Sequence, residues 1–476
     1  MTETDIARTL GRAHELAIEY LAKLPDRPVG RPVDLEAVRA SLGGPLPHAG
    51  EDPVLTLDAL ARVAEPGLVA TAGPRYFGFV IGGSLPAALG ADWLASAWDQ
   101  NAGLYVTSPA AAVVEEVVER WLVDVFRLPE GTSLGLTSGA TMANYTALAA
   151  ARHRVLADVG WDVEAAGLFG APEITVLVGA EAHATILAAL QMLGLGRDRV
   201  TWVPADAEGR MRADALTQAL DGVRGPTIVC AQAGNVNTGA FDPLPAIGAA
   251  VRSHGGWLHV DGAFGLWAAA SPDRAELTVG IEGADSWTTD AHKWLNVPYD
   301  AGAVLVRDRA AHRAAMTLGA AYYVETTGAE RDGYNWVPET SRRARGFAVW
   351  AALRSLGRTG LAALVDRSCD LATRLAAGLD GHPGIVVLND VVLNQVLVRF
   401  MASATATVSE EVASDQLTRD VIARVQLDGT CWMGGTIWQG QAAMRVSVSG
   451  WSTTADDIDR SVAAIVRADS AARERG

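Results

Sequence analysis

The sequence is poor in lysine, in cysteine and in long apolar runs. Lysine occurs only at Lys23 and Lys293, so subtracting 2 from the 39 basic residues leaves 37 arginines. The three cysteines, Cys230, Cys369 and Cys431, include no CxxC pair, which argues against a disulfide framework and a cysteine-rich metal site. The N-terminus has no basic start followed by an apolar stretch, and no run of about 18 uncharged apolar residues occurs. We therefore expect a cytoplasmic protein without a membrane-spanning segment.

Positive charge is also scarce. Lys+Arg 39 against Asp+Glu 55 gives 39 − 55 = −16. A surface this acidic repels phosphate backbones and anionic lipid headgroups, so we predict neither a nucleic-acid partner nor a membrane partner. A hydrophobic content of 49% with 20% charged residues over 476 residues is typical of a folded chain of several structural units.

The shortage of lysine draws attention to Lys293. Arginine supplies surface charge in this chain, whereas only a lysine amine can deprotonate and form an imine with a carbonyl compound. Lys23 has a simpler explanation, because it lies at the polar end of an amphipathic helix before a turn. Lys293 lies in the unusual segment TTDAHKWLN. We therefore predict that Lys293 is functional.

The order of the elements predicts an α/β fold. Residues 1–75 form an N-terminal helical arm in this interpretation, and residues 344–476 form a connecting helix and a small α+β domain. Between about 133 and 308, β-rich runs alternate with helical ones, which predicts a mostly parallel sheet covered by helices. Ligands bind such sheets at the carboxyl ends of the strands. The six predicted strands are SLGLT, ITVLVG, VTWVP, TIVCAQA, WLHVDGA and AGAVLVRD.

A turn of small and hydroxylated residues follows the first of these strands. It contains Ser138, Gly139, Ala140 and Thr141, and an Ala-rich helix begins there. Backbone N–H groups at such a helix start bind phosphate well, although serine and threonine are also ordinary N-caps. The turn has neither a Walker pattern nor GxGxxG, which disfavours nucleotide binding, and it lacks the GxSxG of a serine hydrolase.

Asp261 and His183 each follow a predicted strand. A buried carboxylate such as Asp261 needs a positive or proton-sharing partner, and a pyridine nitrogen would serve. Ala263 is small enough for a flat ring to lie against the chain. The alternatives for Asp261 are a helix cap or a metal ligand paired with His259, but no third ligand is suitably spaced, so we predict no metal. His183 could stack on an aromatic cofactor or cap a helix.

A phosphate turn, a ring-nitrogen partner, a stacking histidine and an imine-forming lysine together match what pyridoxal phosphate (PLP) requires of a protein. Seven segments resemble in order the group II PLP-dependent amino acid decarboxylases, which include the aromatic L-amino acid and glutamate decarboxylases, and the resemblance runs from about Arg75 to Ala464. This resemblance implies the fold type I architecture of aspartate aminotransferase and a homodimer with shared active sites. The segments are TSGATMAN, EAHATI, AGNVNTGAFDP, WLHVDGAFG, DAHKWLNVPYD, PETSRRAR and MRVSVSGWSTT.

The resemblance also implies residue roles. Lys293 would form the imine with PLP, Asp261 would pair with the pyridine nitrogen, and His183 would stack on the ring. Residues 138–141 would hold the phosphate, with Asp290 and His292 close by. The PLP-binding domain would span residues 76–343 and include a mobile catalytic loop at about 322–340. In that loop Tyr334 is our candidate for the residue that protonates Cα, and its rivals are Tyr322 and Tyr323.

We therefore expect decarboxylation of a small-molecule substrate, an L-amino acid, to its amine. Arg75 is the only arginine near the expected substrate-facing segment, so we favour an aromatic or bulky apolar side chain over an acidic one. A PLP-dependent aldehyde synthase or aminotransferase is the alternative, and a non-catalytic binding protein of the same fold is a remote one. The apolar residues expected to line the pocket are Tyr76, Phe77, Phe79, Leu104, Tyr105 and Trp294.

Two further features are interpreted as structural. Arg342, Arg343 and Arg345 could pair with phosphate or a partner subunit, but solvated arginines at a helix start explain them equally well. Cys230 lies in an apolar strand and is best explained as a small buried hydrophobic residue. Neither feature enters the predicted site.

Overall fold

The computed structural model describes residues 3–30, 32–317, 330–403 and 408–474. The chain forms two compact units. The large unit comprises Gly82–Thr373 and Asn389–Val396, and the small unit comprises Met1–Ile81, Arg374–Leu388 and Leu397–Gly476. Within the described part of the chain, every helix is too short or too polar to cross a membrane. The division at residues 75 and 343 stays a prediction.

The described residues form fourteen α-helices and eleven strands. The helices are α1 (Glu3–Lys23), α2 (Leu35–Leu42), α3 (Pro53–Ala64), α4 (Pro86–Trp98), α5 (Pro109–Val125), α6 (Ala140–Ala157), α7 (Val163–Ala166), α8 (Ala184–Met192), α9 (Ala213–Asp221), α10 (Leu244–His254), α11 (Arg309–Met316), α12 (Gly346–Leu379), α13 (Val408–Asp428) and α14 (Ala455–Arg473). The strands are β1 (Ser133–Thr137), β2 (Thr175–Gly179), β3 (Thr201–Val203), β4 (Thr227–Gln232), β5 (Trp257–Asp261), β6 (Ser286–Asp290), β7 (Gly302–Val306), β8 (Ile385–Val387), β9 (Gln395–Phe400), β10 (Gly434–Trp438) and β11 (Gln441–Ser447).

The large unit is built on a sheet of seven strands in the order β1-β7-β6-β5-β4-β2-β3. Strands β2 to β6 pair in parallel with one another, whereas β7 is antiparallel to both β1 and β6. This confirms the predicted mostly parallel α/β sheet. Gly302 opens β7 and pairs with Thr137 on one side and Asp290 on the other. The carboxyl ends of β1 and β6 therefore meet at the start of β7.

One strand of this sheet was absent from the sequence prediction. Strand β6, SWTTD, is polar in sequence, yet all five residues are buried. Its polar side chains are satisfied inside the unit: Ser286 bonds to Trp257 and His259, and the Thr288 hydroxyl bonds to Asn144. Because neither hydrophobic alternation nor an apolar run is present, periodicity could not reveal this strand. Its last residue, Asp290, thereby reaches the ligand-binding edge of the sheet.

Helix α6 covers the sheet beside β5, β6 and β7. Most of its residues are buried, because small alanines allow close packing on the sheet; they include Ala143, Ala147 and Ala151. Cys230 of β4 lies in the same core cluster, as predicted, and burial raises the pKa of its thiol. The polar start of α6 is thus held at the carboxyl edge of the sheet.

The small unit contains α1 to α3, α13, α14 and a four-stranded sheet in the order β10-β11-β9-β8. Tyr76 stacks on Trp432 with ring centroids 5.0 Å apart and an interplanar angle of 11°. The Arg75 guanidinium is 3% exposed and its Nη1 lies 3.0 Å from Asp457 Oδ1. It also donates to the carbonyl oxygens of Thr430 at 2.7 Å and Pro25 at 2.6 Å. Arg75 therefore has a structural role in this unit.

Candidate active site

The first part of the site is the carboxylate of Asp261, the last residue of β5, which is 7% exposed. Oδ2 accepts from Asn144 Nδ2 at 3.1 Å, Oδ1 accepts from the Ala263 N–H at 3.1 Å, and Thr288 Oγ1, whose proton goes to Asn144 Oδ1 at 2.8 Å, lies 3.5 Å from Oδ1. The carboxylate is held by these donors at the edge where parallel sheets bind ligands. His259, the other residue of the metal alternative, bonds instead to Ser286 and Asn144.

The second part is a cluster around Asp290, whose side chain is 3% exposed. Asp290 Oδ2 lies 2.8 Å from Lys293 Nζ, and Oδ1 accepts from the Ala140 N–H at 2.6 Å. His292 Nε2 lies 3.7 Å from Oδ1. One buried carboxylate therefore joins the predicted imine-forming lysine to the start of α6. The side chain of Lys293 is 20% exposed, so its amine lies at an accessible edge of the cluster.

The predicted phosphate turn is shaped by close backbone contacts. The N-cap of α6 is Gly139, which has no side-chain cap, so neither Ser138 nor Thr141 acts as the N-cap. A Cβ at Gly139 would lie 3.2 Å from His292 Cε1, and a Cβ at Gly302 would lie 2.5 Å from Gly139 Cα. The helix N-terminus carries partial positive charge, which favours an anion at this position.

His183 is the N-cap of α8, and its Nδ1 accepts from the Thr185 N–H at 3.3 Å. Thr185 Oγ1 lies 2.9 Å from the same nitrogen and 3.2 Å from Asn144 Nδ2. His183 therefore caps α8, which was one of the two alternatives for this residue. Capping does not exclude stacking, because it uses only one edge of an exposed ring. A bridge of two residues thus connects His183 to Asp261.

His292 is held as a hydrogen-bond acceptor at Nδ1, because the Ala301 N–H donates to that atom at 3.2 Å. Its ring also packs on Tyr299, with centroids 4.3 Å apart. Burial lowers the pKa of His292, with the Asp290 carboxylate opposing that effect. A neutral His292 therefore carries its proton on Nε2, the nitrogen that faces Asp290.

These residues fit PLP. A helix start with closely approaching backbone suits the phosphate, the Lys293 amine suits the aldehyde, and the buried Asp261 carboxylate suits the pyridine nitrogen. Ala263, directly beside Asp261, leaves room for a flat ring. No group of three or more His, Cys, Asp or Glu in the described ranges could hold a metal ion.

Tyr334 lies in a short 3₁₀ turn of the large unit and is 1% exposed, with its N–H donating to the Gly103 carbonyl at 2.9 Å. Its role in proton transfer stays a prediction. The rival residues Tyr322 and Tyr323 lie outside the described residues. The same holds for most of the predicted loop at 322–340, which is described only from residue 330 onward.

Two of the three arginines after Tyr334 are not solvated, contrary to the sequence interpretation, whereas Arg343 is exposed and its Nη2 lies 2.6 Å from Asp92 Oδ1. Arg342 Nη2 lies 2.6 Å from Glu115 Oε1, and both side chains are at most 2% exposed. Arg331 Nε lies 3.4 Å from Glu115 Oε2 and its Nη1 lies 2.9 Å from Glu119 Oε2. This buried ionic cluster fixes the segment 331–342 against α5. Arg345 instead pairs with Asp300, its Nε 2.7 Å from Oδ1.

The sequence prediction missed three residues of the site, Asn144, Thr185 and Thr288. A signal existed for the first of them. Asn144 falls on the same helical face as Ala140, Ala147 and Ala151, and a polar residue within an apolar helical face usually has a specific partner. Thr185 and Thr288 gave no such signal, since threonine is common at helix starts and in strands.

Comparisons with known proteins identify a family. The family described as the pyridoxal-dependent decarboxylase conserved domain matches residues 46–401. An aromatic-L-amino-acid decarboxylase of Bacillus atrophaeus is 26% identical over 459 residues, which cover 95% of this chain and 93% of that protein. An L-2,4-diaminobutyrate decarboxylase of Rhizobium meliloti is 30% identical over 428 residues, which cover 88% of this chain and 83% of that protein.

The fold is shared with solved structures as well. The crystal structure of Oryza sativa TDC with PLP and tryptamine has a TM-score of 0.92 and 23% identity, covering 99% of both chains. This confirms the predicted fold type I architecture. The chain belongs to the pyridoxal-dependent decarboxylase family and is a PLP-dependent carboxy-lyase.

Proposed function

We propose that this enzyme removes the α-carboxylate of an L-amino acid with an aromatic or bulky apolar side chain, releasing the amine and CO₂. The proposed substrate class rests on the burial and the hydrogen bonds of Arg75. Its guanidinium is bound to Asp457 and to two carbonyl oxygens of the small unit, and its side chain is only 3% exposed. Three of its five N–H donors are used in these bonds, and burial in the small unit keeps the guanidinium from solvent, so it is poorly placed to bind the carboxylate of an acidic substrate.

The residues that follow Arg75 support the same choice. Phe79 is aromatic and 59% exposed, whereas Tyr76 and Phe77 are buried, and residues 75–81 contain no acidic residue. The two relatives described above are named for different substrates, an aromatic amino acid and L-2,4-diaminobutyrate. The second ammonium of a diamino acid would need a carboxylate partner, whereas an aromatic side chain needs apolar contact area. The segment offers one exposed aromatic residue and no carboxylate, which favours the latter.

In the proposed reaction, PLP supplies an electron sink for the electron pair left when the Cα–carboxylate bond breaks. Lys293 would bind the cofactor aldehyde, and Asp290 Oδ2 holds the lysine amine, 2.8 Å from Nζ. Asp261 would hold a proton on the ring nitrogen. His183 would stack on the ring, and Tyr334 is our candidate for delivering a proton to Cα. The rivals Tyr322 and Tyr323 would take that role if the Tyr334→Phe variant still formed amine.

The product decides between the proposed activity and its alternatives. Purified enzyme loaded with PLP is incubated with a panel of aromatic, apolar, acidic and diamino L-amino acids, and the products are identified by mass spectrometry. We expect an amine lighter than its substrate by one CO₂ from the aromatic or bulky apolar members. A keto acid would instead indicate an aminotransferase, and an aldehyde with ammonia an aldehyde synthase. Turnover of glutamate or diaminobutyrate alone would contradict the proposed substrate class.

The two lysines offer a matched test of the covalent attachment. The holoenzyme is reduced with borohydride, digested, and mapped for the peptide that carries the pyridoxyl group. We expect the label on Lys293 only, since Lys23 is an exposed residue of α1 paired with Glu19. Lys293→Arg should lose label and activity, and Lys23→Arg should keep both. Label on Lys23, or on neither lysine, would contradict the assignment.

We further propose that the enzyme is a homodimer. Helices α2 and α3 of the small unit have no buried residue within the described chain. Four of their leucines are more than half exposed, which is unusual for a free surface: Leu35 58%, Leu42 54%, Leu55 56% and Leu60 53%. A second copy of the chain would cover them. Light scattering should give twice the mass of 49.9 kDa, and a monomer would contradict this proposal.

A further inference from the structure

We propose that Asn144 is a positioning residue that fixes the orientation of both Asp261 and His183 through one directed network of hydrogen bonds. The inference rests on the proposed pairing of Asp261 with the ring nitrogen of PLP. Asn144 lies on α6, is 0% exposed and makes four side-chain hydrogen bonds, all within the large unit. The directions of these bonds follow from the groups at the two ends of the network.

The direction of the network is set by its two ends, Asp261 and Trp257. The Asp261 carboxylate only accepts, so the Asn144 NH₂ faces it and Asn144 Oδ1 faces His259 Nε2, which must donate. Ser286 Oγ accepts from the Trp257 indole at 2.9 Å and donates its own proton to His259 Nδ1, which lies 2.9 Å away. A neutral His259 with an acceptor at Nδ1 carries its proton on Nε2. That proton is donated to Asn144 Oδ1 at 3.0 Å.

The neutral form of His259 is also favoured by its surroundings. The ring is fully buried, and burial lowers its pKa to about 4, with the nearby Asp261 acting in the opposite direction. Thr288 Oγ1 is a second donor to Asn144 Oδ1, at 2.8 Å. Two donors thus fix the amide oxygen of Asn144. A flipped amide would place its NH₂ against both of them, so only one amide orientation is compatible with the network.

The amide nitrogen of Asn144 is consequently directed at the cofactor side. One of its hydrogens goes to Asp261 Oδ2 at 3.1 Å and the other to Thr185 Oγ1 at 3.2 Å. The Thr185 N–H donates to His183 Nδ1, so that nitrogen is an acceptor and a neutral His183 carries its proton on Nε2. Thr185 Oγ1, which accepts from the amide, donates its own proton to the same nitrogen at 2.9 Å. A single amide therefore holds the carboxylate directly and the capped edge of the histidine through Thr185.

The test compares two ligands of the apoenzyme, PLP and its 1-deaza analogue, in which a C–H group replaces the ring nitrogen. Both offer the same phosphate and aldehyde, so the ratio of their dissociation constants measures the contribution of the Asp261–nitrogen pair. In Asn144→Asp the donor toward Asp261 becomes an acceptor of the same shape. We expect PLP binding to weaken about tenfold or more while binding of the deaza analogue changes much less.

A pair of matched variants separates this role from general packing. Thr288→Val removes a hydroxyl of the network, and Thr146→Val removes a hydroxyl on α6 that donates only to the Met142 carbonyl, at 2.8 Å. Both threonines are 0% exposed. We expect the ratio of dissociation constants to fall in Thr288→Val and to stay at the wild-type value in Thr146→Val. If Asn144→Asp does not fold, Thr288→Val and Ser286→Ala provide the same comparison.

The outcomes are distinguishable. Equal weakening of both ligands in the network variants would overturn the positioning role and leave Asn144 as a packing residue. An unchanged ratio would overturn it as well. If the wild-type apoenzyme bound both ligands equally, the pairing of Asp261 with the ring nitrogen would be wrong, and the present inference with it. The decarboxylation proposal would still be decided by its own product assay.

Discussion

Replacing Gly302 with alanine should displace the turn that begins α6. The new Cβ would lie 2.5 Å from Gly139 Cα, 2.6 Å from its carbonyl carbon and 2.9 Å from its nitrogen. Carbon atoms pack at about 3.5–4.0 Å, so the two backbones must separate by about 1 Å. The 2.6 Å bond from the Ala140 N–H to Asp290 would then exceed hydrogen-bond length. Misplacement of about 1 Å in a site costs about a hundredfold in rate.

We therefore expect Gly302→Ala to bind PLP more weakly and to lose about a hundredfold in kcat/KM. PLP affinity is measured by fluorescence titration of the apoenzyme, and turnover by amine formation. The matched control is Gly90→Ala on α4, where an added Cβ has nothing within 4 Å and alanine favours the helix. Wild-type affinity and turnover in Gly302→Ala would refute the argument that close approach at Gly139 shapes the site.

Three further predictions concern stability. Glu115→Gln leaves Arg331 and Arg342 buried with less countercharge, and it should lower the free energy of unfolding by about 3–5 kcal/mol in urea titrations; an unchanged midpoint would contradict this. Burial lowers the pKa of His312 to about 3, whereas a histidine in the unfolded chain has a pKa of about 6.5. Between these two pH values the unfolded chain binds a proton that the folded chain does not. The free energy of unfolding should therefore decrease as the pH is lowered below about 6.5, by about 1.4 kcal/mol per pH unit, and it should decrease less steeply in His312→Gln. Arg75→Ala should lower the melting temperature while the set of accepted amino acids stays the same, and a switch in substrate would show that Arg75 does more than support the small unit.

The central residues of the site were accessible to sequence reasoning for simple physical reasons. Lys293 was conspicuous because nearly all the other basic residues of the chain are arginines. Asp261 was conspicuous because a carboxylate at the end of an apolar strand needs a partner. Both inferences rest on local chemistry, and the alternation of strands and helices then placed them at one edge of a sheet. The roles assigned to individual residues stay predictions.

The features that were missed depend on partners distant in sequence. Strand β6 is polar in composition and became recognisable only through its bonds to β5 and α6. Arg342 looks like a solvated residue at a helix start, yet its countercharge, Glu115, lies 227 residues earlier. Asn144 is one amide in an Ala-rich helix. For each of them, burial is made possible by a partner that no local pattern specifies.

The order of the strands also has a consequence for how the enzyme is made. Among the described residues, β1 lies at the edge of the large sheet and its only neighbour is β7. Thr137 can therefore pair with another strand only when Gly302 is present. During synthesis the turn after β1 emerges early but has no strand to pair with until 302 − 137 = 165 further residues have been made. Closing so long a loop is slow, because the entropy cost precedes the contacts that repay it. The cofactor site is therefore completed late, and nascent chains that end before β7 should not retain PLP.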